Sequence, residues 1–255
     1  MQPHYQYYED KLMNNKVFLL SALIFTASAA VNVSYADSDR HHDLHLNKKT
    51  TALLITDPQN DFLSETGVAY GLVKDNLKSV GTIRNIDKLF KAAKNSHFSV
   101  FVSPHLYYPH DDKWKNRGAL QKTIHEINMF KVSHPINHTN FDGSGADFLA
   151  QYKKYIYDGQ TTITSPHKVY GPESNDLVLQ LRKQGIQTVL VAGMAANLCT
   201  DSHMRELMEQ GFNVIMVKDA VGAPGEAAYQ AALTNYSLIA NAVVTTKKAI
   251  EMMDD

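Results

Sequence analysis

The chain has few of the residues on which several classes of protein depend. Its 255 residues include one cysteine, Cys199, which excludes an intramolecular disulfide and a zinc site built from several thiolates. The formal net charge is −1, so there is no basic surplus for a nucleic acid and we expect no nucleic-acid partner. No glycine-rich nucleotide fingerprint follows any predicted strand, so dinucleotide binding has no support.

The remaining composition is typical of a globular protein with a sizeable core. Hydrophobic residues make up 44% of the chain and charged residues 20%. The length suggests one domain, or one domain with a tail. No internal repeat is evident and no linker divides residues 50–255, so the sequence predicts one domain over that range.

The N-terminal segment has the pattern of a secretory signal peptide. An apolar run, 17–30, follows Lys16, and small residues stand at Ser34 and Ala36, the two positions that a signal peptidase reads. We predict a signal peptide over 1–36 and a periplasmic or secreted protein, with no stable membrane span after cleavage. An uncleaved anchor is the alternative.

Two details of this region follow from the same pattern. A positively charged start at Met13 would be more usual, which makes 1–12 a candidate over-called start. Residues 37–49 are polar, and we predict that they form a flexible lead-in to the domain.

Beyond this lead-in, short apolar runs alternate with segments of helical periodicity. This alternation predicts an α/β fold, a three-layer α/β/α sandwich around a mostly parallel, Rossmann-like sheet. The predicted strands are 51–57, 98–103, 161–164, 188–192, 213–217 and 242–246. The clearest predicted helices are 83–93, 177–185 and 227–238, with one more between Cys199 and Gly211.

Four chemically competent residues follow neighbouring predicted strands. Asp57, His105, Lys168 and Cys199 come after the first, second, third and fourth strands, and working residues of such sheets gather at the carboxyl ends of the strands. Each of these residues, considered separately, has an ordinary structural interpretation. Cys199 would be a small buried hydrophobic residue, Asp57 a helix cap and Lys168 a solvated lysine. Together they are a thiol, a base and a cation, and a position near a helix start favours the thiolate.

The segments that contain these residues resemble three signatures of the isochorismatase-like cysteine hydrolases. They are Asp57-Pro-Gln-Asn-Asp-Phe62, the Lys168 turn that leads to Asn175-Asp176-Leu177, and Gly193-Met-Ala-Ala-Asn-Leu-Cys199. The resemblance covers roughly residues 50–246 and includes the order and spacing of the motifs. The family contains nicotinamidases, carbamoyl-amide hydrolases and related amidases.

The resemblance implies a site and a mechanism. It implies an Asp–Lys–Cys triad at Asp57, Lys168 and Cys199. It also implies a non-proline cis peptide between Met194 and Ala195, which directs the N–H groups of Ala195 and Cys199 at the substrate oxygen as an oxyanion hole. No cofactor is implied, and family members often form dimers or tetramers, so we expect a homo-oligomer.

A metal site is weakly supported. Metal-dependent nicotinamidases, as the resemblance implies, have an aspartate two residues before the first histidine, where this chain has Ser103. His105 and His110 without that carboxylate are a poor ligand set, so we predict no metal. We expect the substrate pocket to include Gln59, Phe62, His105, Trp114 and Asn197.

The sequence thus predicts a cysteine hydrolase that cleaves a linear C–N amide bond of a small molecule through an acyl thioester. Two alternatives stay open. Isochorismatases proper cleave a vinyl ether and, as the resemblance implies, need no cysteine. The fold could also serve a non-catalytic or redox role as an exported binding module. The substrate itself cannot be read from the sequence, since residues 107–160, which build much of the pocket, carry the weakest resemblance.

Overall fold

The computed structural model describes residues 45–134 and 139–255. The predicted signal peptide and most of the predicted lead-in lie outside these residues. Within them, no helix has both the length and the apolar character needed to cross a membrane.

The described residues form a six-stranded sheet in which every pair of neighbouring strands is parallel. The strand order is β3-β2-β1-β4-β5-β6. The strands are β1 (Thr51–Thr56), β2 (Ser99–Ser103), β3 (Thr162–Ile163), β4 (Thr188–Met194), β5 (Asn213–Gly222) and β6 (Ala242–Val244). All six predicted strands are present, and the α/β prediction is confirmed.

Helices cover both faces of this sheet. They are α1 (Asn60–Leu63), α2 (Tyr70–Val80), α3 (Thr82–Asn95), α4 (Ala119–Glu126), α5 (Lys153–Ile156), α6 (Leu177–Lys183), α7 (Asp201–Glu209), α8 (Glu226–Ile239) and α9 (Thr246–Asp254). One core contains the buried residues of α2, α3, α5 and α9, and the other contains those of α6, α7 and α8. The sheet therefore separates two apolar cores, which gives the three layers.

The composition of β1 explains its central position. All six of its residues are buried, as expected for a parallel strand that is covered on both faces. Leu53 and Ile55 belong to the core beneath α3, whereas Ala52 and Leu54 belong to the core beneath α7. The strand therefore places its C-terminal residue, Thr56, and the following Asp57 at a rigid edge.

Strands β4 and β5 are longer than the sequence predicts. Their register shifts between Val191 and Gly193, so that Val191 pairs with Met216 but Gly193 pairs with Val221. This irregularity accommodates the polar pair Lys218-Asp219, which we expected to end the strand. Asp219 instead accepts hydrogen bonds from the backbone N–H and the hydroxyl of Thr246 at the start of α9, at 2.6 and 2.7 Å.

Gly193 of β4 pairs with Thr56 of β1 and leaves no room for a side chain between them. Its φ is +122°, and a Cβ added there would lie 2.1 Å from the carbonyl oxygen of Thr56. We expect Gly193→Ala to lower the free energy of unfolding by about 3 kcal/mol, from backbone strain and the clash together. Gly211→Ala is the matched control, because Gly211 also has a positive φ, +84°, but nothing within 4 Å of its added Cβ. Urea unfolding should give a much smaller loss for the control, and equal losses would contradict the close approach.

Candidate active site

The candidate site lies at the carboxyl edge of the sheet, between β1 and β4. The strand order reverses there, since β2 and β3 lie on one side of β1 while β4, β5 and β6 lie on the other. Crevices at such a reversal are where open α/β sheets bind ligands. Thr56 joins the two strand ends, because its hydroxyl contacts the carbonyl of Met194 at 3.1 Å and the hydroxyl of Thr200 at 2.9 Å.

Cys199 is positioned by the turn that follows β4. The Met194–Ala195 peptide bond is cis, as the family resemblance implies. A five-residue π-helical turn, Ala196–Thr200, comes next and continues into α7. Such turns are frequent at functional sites. The Cys199 side chain is buried there, with 3% of the residue exposed.

Asp57 is held in an unusual backbone conformation beside this turn. Its φ is +46°, a left-handed value that few non-glycine residues adopt, and its side chain is completely buried. One carboxylate oxygen, Oδ1, contacts His167 Nε2 at 2.6 Å, and the other, Oδ2, lies 3.8 Å from His105 Nδ1. Burial alone would raise the pKa of Asp57, but the charge and hydrogen bonds of His167 and His105 hold it below its usual range.

The thiol of Cys199 faces His105 and Asp57. Its Sγ lies 3.7 Å from His105 Nδ1. Burial, and then the charge and hydrogen bond of Asp57, raise the pKa of Cys199 well above the usual thiol value, while hydrogen bonds from the backbone of Ala195 and of Cys199 itself lower it. The resting pair is therefore a neutral thiol and a carboxylate. The helix start does not produce a resting thiolate, which corrects our expectation from the sequence.

The ammonium group of Lys168 forms no ion pair with Asp57 among the described residues, although its charge contributes to the lowered pKa of His105. This ammonium group instead forms an ion pair with Asp111 and donates a hydrogen bond to the carbonyl of Leu106 at 2.8 Å. The aromatic rings of Tyr107, Tyr108 and Trp114 surround it at 4.7 to 5.7 Å from Nζ. The residue beside the Asp57 carboxylate is instead His167, the preceding residue of the chain.

The pairing of the two turns explains this one-residue difference. His167 forms an isolated parallel bridge with His105, which extends the pairing of β2 and β3 beyond both strands. Successive side chains of an extended chain point to opposite faces, so the side chain of Lys168 leaves on the other side when that of His167 faces the site. This bridge is a feature of the folded chain, so the sequence contained no signal that could have identified His167.

A third histidine, His203 on α7, packs between the backbone of Cys199 and the side chain of Ser103. Its Nδ1 donates to the carbonyl of Cys199 at 2.6 Å, and its Nε2 lies 2.8 Å from the hydroxyl of Ser103. The hydroxyl of Ser103 also accepts a hydrogen bond from the Asn175 amide at 2.9 Å. His203 lies four residues after Cys199 on the helix that continues from the same turn. No pattern in the sequence indicated its role, because a histidine on a helix is ordinary until its contacts are known.

The predicted pocket residues occupy different surroundings. The Gln59 side chain is buried and forms two hydrogen bonds with the backbone of His105. Its Oε1 accepts from the His105 N–H at 2.8 Å, and its Nε2 donates to the His105 carbonyl at 2.9 Å. Phe62 packs edge-on against Phe130 in the core, and Trp114 is partly buried. Asn197 Oδ1 and His105 Nε2 are buried without a hydrogen-bond partner among the described residues. The structure therefore leaves polar atoms of His105 and Asn197 available to a ligand.

The polar atoms of the site do not form a good metal centre. Within the described residues, the one group of side chains close enough to hold a metal ion is His105, His167 and Cys199. Both ring nitrogens of His167 are already engaged, by Asp57 and by the carbonyl of Lys168, and two remaining donors are too few for a tetrahedral site. His110 is exposed beside Asp111 rather than buried with His105.

Comparison with known proteins identifies the family. Residues 51–248 match the sequence model of the isochorismatase domain, a range that includes Asp57, His167 and Cys199. The chain belongs to the isochorismatase family. The family resemblance of the three motifs is thereby confirmed.

Two curated relatives of this isochorismatase-family chain carry amidohydrolase names. Ureidoacrylate amidohydrolase RutB from Variovorax paradoxus is 27% identical over 200 residues, which cover 76% of this chain and 77% of the relative. Nicotinamidase 3 from Arabidopsis thaliana is 24% identical over 194 residues, which cover 74% and 81%. The family to which the chain belongs is one of hydrolases that includes amidohydrolases.

Solved structures of the isochorismatase family share the fold. A cysteine hydrolase from Pseudomonas syringae superposes with a TM-score of 0.67 over 83% of this chain and 96% of that chain, at 20% sequence identity. This agreement concerns the architecture, and the chemistry depends on the residues described above.

Proposed function

We propose that this protein is an amidohydrolase that cleaves a linear C–N amide bond of a small molecule, with Cys199 as nucleophile and Asp57 as base. The observation that carries the proposal is that the buried thiol of Cys199 and the buried carboxylate of Asp57 meet beside His105, whose Nδ1 lies 3.7 Å from Sγ and 3.8 Å from Asp57 Oδ2. A thiol needs a base within reach to become a nucleophile, and Asp57 is the buried carboxylate that acts on Cys199.

The proposed reaction has two halves. In the first, Asp57 takes the proton of Cys199 while the sulfur attacks the carbonyl carbon of the amide, and Asp57 then gives that proton to the departing ammonia or amine. An acyl thioester on Cys199 remains. In the second half, Asp57 removes a proton from a water molecule, whose oxygen attacks the thioester carbonyl. The C–S bond then breaks, the acid is released, and Asp57 returns the proton to the sulfur of Cys199.

The resting charges determine how the first half proceeds. The pKa of Cys199 is raised and that of Asp57 is lowered, so a free thiolate is costly to form before the substrate arrives. Proton transfer is therefore coupled to attack on the carbonyl. The N–H groups of Ala195 and Cys199, whose hydrogen bonds to the sulfur lower the thiol pKa, support the proposed oxyanion hole.

The names of the relatives guide the choice of substrate. Ureidoacrylate amidohydrolase and nicotinamidase both act on small amides by name, and the buried site with unpartnered atoms of His105 and Asn197 suits a small polar amide. A cavity of about 430 Å³ opens nearby, lined by residues including Leu106, Tyr108 and Pro166, but Asp57 and Cys199 are not among its lining residues. We therefore assign the substrate to the crevice and not to this cavity.

The experiment is a screen for ammonia release from ureidoacrylate, nicotinamide and other small primary and carbamoyl amides, with isochorismate as the vinyl ether control. We expect at least one amide to be hydrolysed and an acyl adduct on Cys199 to appear by mass spectrometry after rapid acid quench. Turnover of isochorismate alone, without an adduct on Cys199, would contradict the proposal.

We also propose that the protein works outside the cytoplasm as a homo-oligomer. The apolar run 17–30 and the small residues Ser34 and Ala36 support export, and the family resemblance supports oligomer formation. Cell fractionation with mass measurement of the mature chain tests the first part, and light scattering of the purified protein tests the second.

A further inference from the structure

The contacts of His167 determine its protonation state. Its ring is completely buried, with Nε2 against the Asp57 carboxylate and Nδ1 against the carbonyl oxygen of Lys168. A carbonyl oxygen can only accept a hydrogen bond, and an ionised carboxylate can only accept as well. Both ring nitrogens must therefore carry a hydrogen to satisfy both contacts, which makes the ring an imidazolium.

The two neighbouring histidines differ from His167 in this respect. His203 donates from Nδ1 to the carbonyl of Cys199, and its Nε2 can accept from the hydroxyl of Ser103, so a neutral ring satisfies both contacts. Burial lowers the pKa of His203 to about 3 and that of His105 to about 4. Of the three rings, the contacts therefore favour a charge on His167 alone.

The groups around His167 allow this charge. Its ring lies 4.8 Å from that of His105 after β2 and 4.7 Å from that of His203 on α7, centroid to centroid. Asp57 after β1 supplies the opposite charge. The adjacent Lys168 is cationic, but its ammonium pairs with Asp111 and not with Asp57. The charges of Asp57 and His167 therefore neutralise each other beside Cys199.

We propose that His167, as an imidazolium, is the positive member of the catalytic group, in the place that the family resemblance assigns to a lysine. It is a positioning residue that acts through Asp57: it fixes the carboxylate, keeps it ionised, and balances negative charge as it moves from Asp57 to the sulfur and the substrate oxygen. His167 keeps both protons throughout the reaction, and the transferred proton goes from Cys199 to Asp57 and on to the leaving group.

The kinetic consequence of this role rests on the proposed function. A lysine ammonium in place of the imidazolium should keep a cation beside Asp57, whereas a neutral glutamine should not.

The first test does not need a substrate. Nitrogen NMR of protein labelled in histidine, with the His167 signal assigned through His167→Gln, reports the state of each ring directly. We expect imidazolium shifts at both nitrogens of His167 near neutral pH, and neutral shifts for His105 and His203. A neutral His167 near neutral pH would overturn the proposal, whether or not the protein proves to be an amidohydrolase.

The second test compares kcat/KM of the wild type with that of three variants near neutral pH. We expect His167→Gln to lose on the order of 100-fold, because one fixed charge is removed. His167→Lys should recover most of this loss, because it restores a cation beside Asp57. His97→Lys, at an exposed histidine between α3 and β2 on the opposite edge of the sheet, is the matched control and should leave kcat/KM unchanged.

Lys168→Gln separates the two candidate cations. Glutamine keeps a hydrogen-bond donor for Asp111 but removes the charge, and we expect less than about a tenfold loss of kcat/KM because Lys168 is not paired with Asp57. A larger loss for Lys168→Gln than for His167→Gln, with both variants folded, would overturn the assignment of His167.

Discussion

Cys199→Ala is expected to lower amide turnover by a factor of about 10⁴ or more, because the variant has no atom that can form the acyl thioester. The change removes one buried sulfur, and its contact with His105 Nδ1 is a long one at 3.7 Å. We therefore expect the free energy of unfolding to fall by only about 1 kcal/mol. Steady-state ammonia release measures the first effect, and urea unfolding measures the second.

The composition of the chain makes this experiment unambiguous. Because Cys199 is the one cysteine of the sequence, iodoacetamide should label one position per chain in the wild type and none in the variant. Cys199→Ser is the graded control, since a hydroxyl keeps the geometry but is a weaker nucleophile, and it should retain far less activity than the wild type. Activity of Cys199→Ala close to that of the wild type would sink the mechanism.

The fold could be predicted because its signals are local. The apolar runs of β1 and β4 are buried on both faces, and the helical periodicity between strands leaves a parallel sheet as the arrangement that buries them. Asp57 and Cys199 could be predicted for the same reason, since each follows a clear apolar run, even though β4 ends at Met194 and not at Ala192 as predicted. The long-range order of the strands then brings the two residues together.

The sequence could not identify in the same way which residue lies beside Asp57 as its cationic partner. Strand β3 has two residues, so the sequence around it contains too little alternation to indicate which side chain faces the site. The decision between His167 and Lys168 depends on a bridge to His105 that exists only in the folded chain. His203 was equally hidden, because a histidine on a helix is ordinary until its contacts with Cys199 and Ser103 are known.

Asp57→Asn is expected to separate two effects of the carboxylate, which accepts the thiol proton during turnover and raises the pKa of Cys199 in the resting protein. Turnover should fall by about 10²–10⁴, because asparagine cannot accept the thiol proton. The rate at which Cys199 is alkylated should rise instead. Burial raises the pKa of Cys199 first, but the charge and hydrogen bond of Asp57 raise it further, and asparagine removes that charge. The midpoint of the alkylation rate against pH should therefore move to lower pH.

Stability adds a third, independent measurement. The folded-state pKa of Asp57 is lowered, so its contribution is present above the unfolded value of about 4 and is lost as the pH falls below it. Removing the carboxylate leaves the buried His167 without its partner, a loss of about 3–5 kcal/mol near neutral pH. The difference in stability between the wild type and Asp57→Asn should shrink on acidification.

A matched control is needed because a loosened fold also exposes the thiol. Asp147→Asn breaks another ion pair, between the buried Asp147 and the partly exposed Lys153, and Asp147 has no contact with Cys199 among those described. It should lower stability without moving the alkylation midpoint, since exposure raises the rate but does not remove a charge from the thiol.

The position of His105 supplies the strongest competing account of the base. Its Nδ1 lies 3.7 Å from the sulfur, so a cysteine–histidine pair is geometrically conceivable. If His105 took the proton, Asp57→Asn would retain most of its activity and His105→Asn would lose it. The lowered pKa of His105, about 4, argues for a neutral ring that binds substrate through its unpartnered Nε2. On that basis His105→Asn should raise KM more than it lowers kcat, whereas Asp57→Asn should lower kcat.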